Sequence, residues 1–172
     1  MKTLLLNALL LLVLLPGPAR AAGDVDWANL KPETVLNAIA VFAADPNSAK
    51  NDAVISVIIK FADASPNVTI IADSGFFPWV DRKPEIEKRD LLLTAFIAGN
   101  IRPQLEKQVK KDHPVEGIQL MCKVYVALRK KNAIPSIPEL DKWSKLDKAG
   151  IAKLIPKIQN KKSPYVPISR VP

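Results

Sequence analysis

The stretch 112-DHPVEGIQLMCKVYVALRKKN-132 decides the fold class. Asp112, with Pro114 two residues on, is expected to start a helix. Val115, Ile118, Met121, Cys122, Tyr125 and Leu128 then recur at helical spacing and line one face. Arg129-Lys130-Lys131 crowd the C-terminal end, where the helix dipole favours cations, and Asn132 is placed to cap it. This is an amphipathic helix of about five turns, and nothing around it supplies a sheet.

Downstream, Ile134-Pro135-Ser136-Ile137-Pro138 reads as a stiff connector. Leu140, Trp143 and Leu146, then Ile151, Leu154 and Ile155, are spaced for one or two short amphipathic helices. Pro156 and the run Lys161-Lys162-Ser163-Pro164 are expected to end the folded part. Residues 161–172, with three prolines and no periodicity, are expected to form a flexible tail.

Upstream, Pro84 and Glu85 are expected to open a helix whose apolar face is Leu91, Leu92, Ala95, Phe96 and Ala98. Gly99-Asn100 is a candidate end for it. Ile101 and Leu105 would also allow it to continue, with a bend at Pro103. Earlier still, Pro32 and Glu33 open a helix ending near Ala44, with Val35, Ile39 and Phe42 on its apolar stripe. Asp45-Pro46-Asn47 breaks it, and Ser48 is expected to cap the next helix, Ala53 to Ala64, buried on most sides. Ser65-Pro66-Asn67 repeats the break twenty residues on, which admits a short solenoid-like stack beside a compact bundle. Val68 to Ala72 has strand-like residues but no partner strand, so a short helix is expected, ended by Gly75. Phe76, Phe77 and Trp79 are expected to plug the core. The fold class is therefore all-α, with about six helices.

The first 21 residues read as an address. Lys2 is a short positive n-region, Leu4 to Leu15 an apolar h-region, and Ala19-Arg20-Ala21 a cleavage box. The expectation is a signal peptide over 1–21, one helical domain over 22–160 and an exported product, periplasmic or secreted. The apolar run is too short to span a bilayer, which takes roughly 20 residues.

Charge is segregated. Residues 22–100 carry 7 Lys/Arg against 11 Asp/Glu, whereas residues 101–172 carry 16 against 6. Such asymmetry points to an anionic partner, here an envelope component or an acidic protein. Lys107, Lys110 and Lys111 at one helix end, with Lys130 and Lys131 at another, are the candidate binding residues. Only Tyr125, Trp143 and Tyr165 interleave the basic half, too few to stack on nucleic acid.

The chemistry the chain can support is narrow. It has one histidine and one cysteine, so a zinc site is out of reach. His113 is read as a solvated residue at a helix start and Cys122 as an unreactive core residue. No Gly-rich nucleotide loop or calcium loop occurs, so no metal, nucleotide or other cofactor is expected. Paired carboxylates remain: Asp73 and Asp81 flank the aromatic stretch, with Glu85, Glu87 and Asp90 near, and Trp79 could stack a sugar. Asn67-Val68-Thr69 matches the N-glycosylation pattern. The favoured reading is a non-enzymatic binding or scaffold protein of the cell envelope or extracellular space. The alternatives are a small glycan hydrolase, or a cationic protein that lays Leu140 to Ile158 on anionic lipid.

Overall fold

Proline placement sets where three helices begin. In the computed structural model, which describes residues 25–80, 82 and 85–159, Pro32, Pro114 and Pro138 each stand in the first turn of a helix. The described residues form α1 (Pro32–Ala44), α2 (Asp52–Ala64), α3 (Arg89–Lys107), α4 (Pro114–Lys130), α5 (Pro138–Trp143) and α6 (Lys148–Gln159). Two single turns of 3-10 helix, Trp27–Asn29 and Ser74–Phe76, complete the regular structure, and no strand occurs among the described residues. The leader over 1–21, the tail over 161–172, Asp81 and Pro84 lie outside the described residues.

α3 and α4 form an antiparallel pair at the centre of a compact all-helical bundle. α1 and α2 both pack on α3, and α6 packs on α4. In a linear stack α1 would touch α2 alone. The α4 stripe enters the core as its spacing requires, with Ile118, Met121, Cys122, Tyr125 and Leu128 buried. Asn132 adopts φ 52°. Its N–H returns to the Arg129 carbonyl at 3.0 Å and that of Ala133 to Leu128 at 2.9 Å, the paired closure of a Schellman end.

The α3–α4 crossing depends on two glycines. A Cβ on Gly99 would overlap the Glu116 carbonyl oxygen, and one on Gly117 would sit 2.9 Å from the Phe96 ring. Phe96 is in turn gripped by Phe77, with ring centroids 5.1 Å apart and nearly perpendicular, and by Phe76 at 5.6 Å. Phe76, Phe77 and Trp79 are all buried, so the aromatic stretch plugs the base of the bundle.

Six local expectations are corrected. Gly99-Asn100 does not end α3; the helix runs through Pro103 to Lys107 because Gly99 is the notch that admits α4. α3 also begins later than Pro84 and Glu85 suggest, at Arg89, because Lys88 is left-handed (φ 60°) and its Nζ is held by Asn47 Oδ1 at 2.6 Å. Ser48 does not cap α2. Its carbonyl accepts from Asn51 N–H and its hydroxyl accepts from Lys50 N–H, closing a separate turn, and α2 starts at Asp52. Of α2 only Ile58 and Phe61 are fully buried, while Val54, Ile55, Val57 and Ile59 lie half-buried at the edge of the core. α6 runs past Pro156 to Gln159, since Ile158 is buried against Gly75, where a Cβ would collide with it.

Val68 to Ala72 is the sixth. It is not a helix but an irregular stretch linking α2 to the aromatic turn. The Gln104 amide serves it as a neighbouring peptide would: Thr69 N–H donates to Oε1 at 3.0 Å, and Nε2 donates to the Thr69 carbonyl at 2.8 Å. Ile71 N–H donates to Asp112 Oδ1 at 3.0 Å.

Candidate binding surface

The antiparallel run of α3 and α4 dictates where the nominated lysines fall. Lys107 is the last residue of α3, and Lys110 and Lys111 follow it, next to the start of α4. Lys130 and Lys131 lie at the far end of α4, roughly 25 Å away at 1.5 Å per residue. All five are exposed, but the fold does not gather them into one patch. Nor are they equally available. Lys131 Nζ is paired with Asp45 at 3.0 Å, and Lys110 Nζ donates to the Pro66 carbonyl at 2.7 Å. Lys107, Lys111 and Lys130 make no side-chain hydrogen bond or ion pair among the described residues. The same holds for Lys123, Lys142, Lys145, Lys153 and Lys157, all exposed.

Lys148 reaches from α6 to Glu116 on α4 at 2.8 Å, and His113 Nδ1 stands 3.6 Å from the other carboxylate oxygen. Burial pushes the Glu116 carboxyl up, but the Lys148 hydrogen bond, the backbone and His113 together hold it below its ordinary value. His113 is thus not solvated; its side chain is 17% exposed. Cys122 is buried and its thiol is pushed up to about 12 by desolvation, which keeps it protonated and unreactive.

Of the acidic candidates, Asp73 and Glu85 are engaged in local structure. Asp73 Oδ1 accepts from Gly75 N–H at 2.8 Å, capping the 3-10 turn. Trp79 is 3% exposed and packs on Phe77, so it offers no face to a sugar. Glu85 pairs with Arg89 at 3.1 Å. Among the described residues no three of His, Cys, Asp and Glu come together as a metal set. The apolar side of α6 is spent inside the bundle through Ile151 and Ile158, with Leu154 and Ile155 packed against the core. No helix of the described residues is long and apolar enough to cross a membrane.

One surface feature escaped the reading of the sequence. Between α4 and the corner joining α5 to α6 lies a groove of about 420 Å³, walled by Cys122, Lys123, Val126, Ala127 and Lys130 on one side. Trp143, Ser144, Leu146 and Ile151 form the other, and Gln119 closes one end. The signal was present in the spacing of Lys123, Val126, Ala127 and Lys130, a second stripe on α4 beside the core-facing one. Comparison of the chain with models of protein families, with curated proteins and with solved structures gives no match.

Proposed function

We propose that this is an exported, non-enzymatic helical protein that binds an anionic component of the cell envelope or extracellular space through its basic C-terminal half. The observation that carries the reading is the charge segregation: 16 basic against 6 acidic residues over 101–172, after an acidic first half. It is supported by eight lysines of that half that have no side-chain partner among the described residues. Lysines needed only to brace the fold would be matched to carboxylates, as Lys131 is to Asp45.

The test is retention of the purified protein on the envelope or extracellular fraction of its source. Retention should fall as ionic strength rises from about 0.01 M to 0.15 M, which shortens the Debye length from roughly 30 to 8 Å. Changing Lys107 and Lys111 to Gln, and separately Lys130, tells which end of the α3–α4 pair docks. Equal retention of these folded variants at all salt concentrations would leave the charge as a solubility device. Intact mass tests the export half of the proposal, with a chain beginning at Ala22 expected.

A further inference from the structure

α4 presents Lys123, Val126, Ala127 and Lys130 at positions i, i+3, i+4 and i+7, so two ammonium groups stand over an apolar strip. Opposite them, Trp143 and Ile151 supply a buried floor, and Leu146 is an apolar rim, 40% exposed. No carboxylate lines this groove; Glu106 and Glu116 line the adjoining recess, which shares Gln119 and Lys123 with it. Neither Lys123 nor Lys130 is engaged by another side chain or carbonyl among the described residues. The only other polar side chains are Gln119 and Ser144, too few to satisfy the backbone groups of a bound peptide. A volume of about 420 Å³ falls within the range of small-molecule sites. A recess between helices also excludes a flat bilayer surface.

We propose that this groove takes a single-chain anionic amphiphile of the fatty-acid type. Its alkyl chain lies on Val126, Ala127, Trp143 and Leu146, and its carboxylate lies between the ammonium groups of Lys123 and Lys130. Long lysine stems cover apolar surface while their charges stay at the water boundary, so both can meet a headgroup at the rim. The proposal rests on the reading of the basic half as an anion-contact surface and names the chemistry at one place on it.

Calorimetric titration of the purified protein with dodecanoate, below its micellar concentration, tests this. Dodecanol, dodecyltrimethylammonium and butyrate serve as comparison ligands. One saturable site is expected for dodecanoate, with each of the other three at least about tenfold weaker, because each lacks either the charge or the chain. Two variants should weaken dodecanoate by about tenfold or more while circular dichroism stays helical. Lys123→Glu with Lys130→Glu reverses the rim, and Ala127→Trp fills the groove. Equal binding of all the twelve-carbon ligands, no saturable binding, or unchanged affinity in a folded Ala127→Trp protein would overturn the proposal. Salt-sensitive retention on the native fraction without dodecanoate binding would remove the groove and leave the anion-binding reading standing. The reverse result would do the opposite.

Discussion

Asn100 on α3 and Asp112 in the α3–α4 connection are joined by a 2.8 Å hydrogen bond from Nδ2 to Oδ1. Asn100 is 0% exposed, and its own Oδ1 accepts from His113 N–H at 3.1 Å and Gln104 Nε2 at 3.0 Å. One amide therefore fixes the start of α4, the side chain that holds residue 69, and the carboxylate that holds residue 71. Replacing Asn100 with Ala leaves several of these groups unpaired in the interior. Urea unfolding should show a loss of about 2–4 kcal/mol, and a loss under 0.5 kcal/mol would mean the network is not holding the bundle together.

The helix crossing gives a second expectation. Gly99→Ala gains about 1 kcal/mol of helix propensity. An added methyl meets the backbone of α4, and such overpacking costs about 1–3 kcal/mol. The variant should be less stable than the parent despite its better helix former, as thermal unfolding would reveal. A raised melting temperature would show that the helices can part freely.

Cys122 connects packing to alkaline pH. Its thiol is raised from 9.0 to about 12 by burial, so above pH 9 the unfolded chain loses this proton before the folded one does. Stability must therefore fall as pH rises from about 9 to 12, by up to about 1.4 kcal/mol per pH unit from this group. Cys122→Ala should show a shallower alkaline fall. Native protein at pH 8 should also resist thiol reagents that label it fully in denaturant.

Asp141 acts at the other end of the pH scale. The Ser136 hydroxyl and the Tyr125 phenol, the latter at 2.6 Å, donate to its carboxylate and hold it below 3.8, against a smaller opposing effect of burial. A depressed folded value stabilises above the unfolded one, so this contribution is present above about pH 4 and is lost as pH falls through the folded value. Asp141→Asn should flatten the acid limb of the stability profile. Tyr125→Phe should cost about 1–2 kcal/mol at neutral pH, because Ile137 N–H, which donates to the phenol at 2.9 Å, loses its partner.

Much of this fold was legible because local signals agreed. Pro32 starts a helix where proline belongs, and the α4 stripe lies in the core at the spacing its residues predict; Pro138, read as part of a connector, instead opens α5. The misreadings came where the deciding contact was distant in sequence. Gly99 looks like a helix end until Glu116 is seen against it. Residues 68–72 lack a partner strand, and the group that serves them is a side chain 35 residues away. The five nominated lysines were legible as charge but not as a surface, since pairing with Asp45 and Pro66 and the antiparallel run of α3 and α4 are facts of packing. Lys123, Val126, Ala127 and Lys130 form a weaker stripe beside the core-facing one, and in the sequence the stronger apolar pattern dominates α4.

The stretch from Val68 to Ala72 has a colloidal consequence. Val-Thr-Ile-Ile-Ala is β-branched for four of its five residues, uncharged and free of proline, the composition of segments that assemble into stacked sheets. Ile71 is already 50% exposed. Gln104 and Asp112 occupy the peptide groups that another chain would otherwise use, so they act as a guard against self-association as well as a brace. Without Gln104, a local opening at residue 69 would present an adhesive ribbon to neighbouring molecules. Solubility on storage, more than melting temperature, is the property that would register its loss.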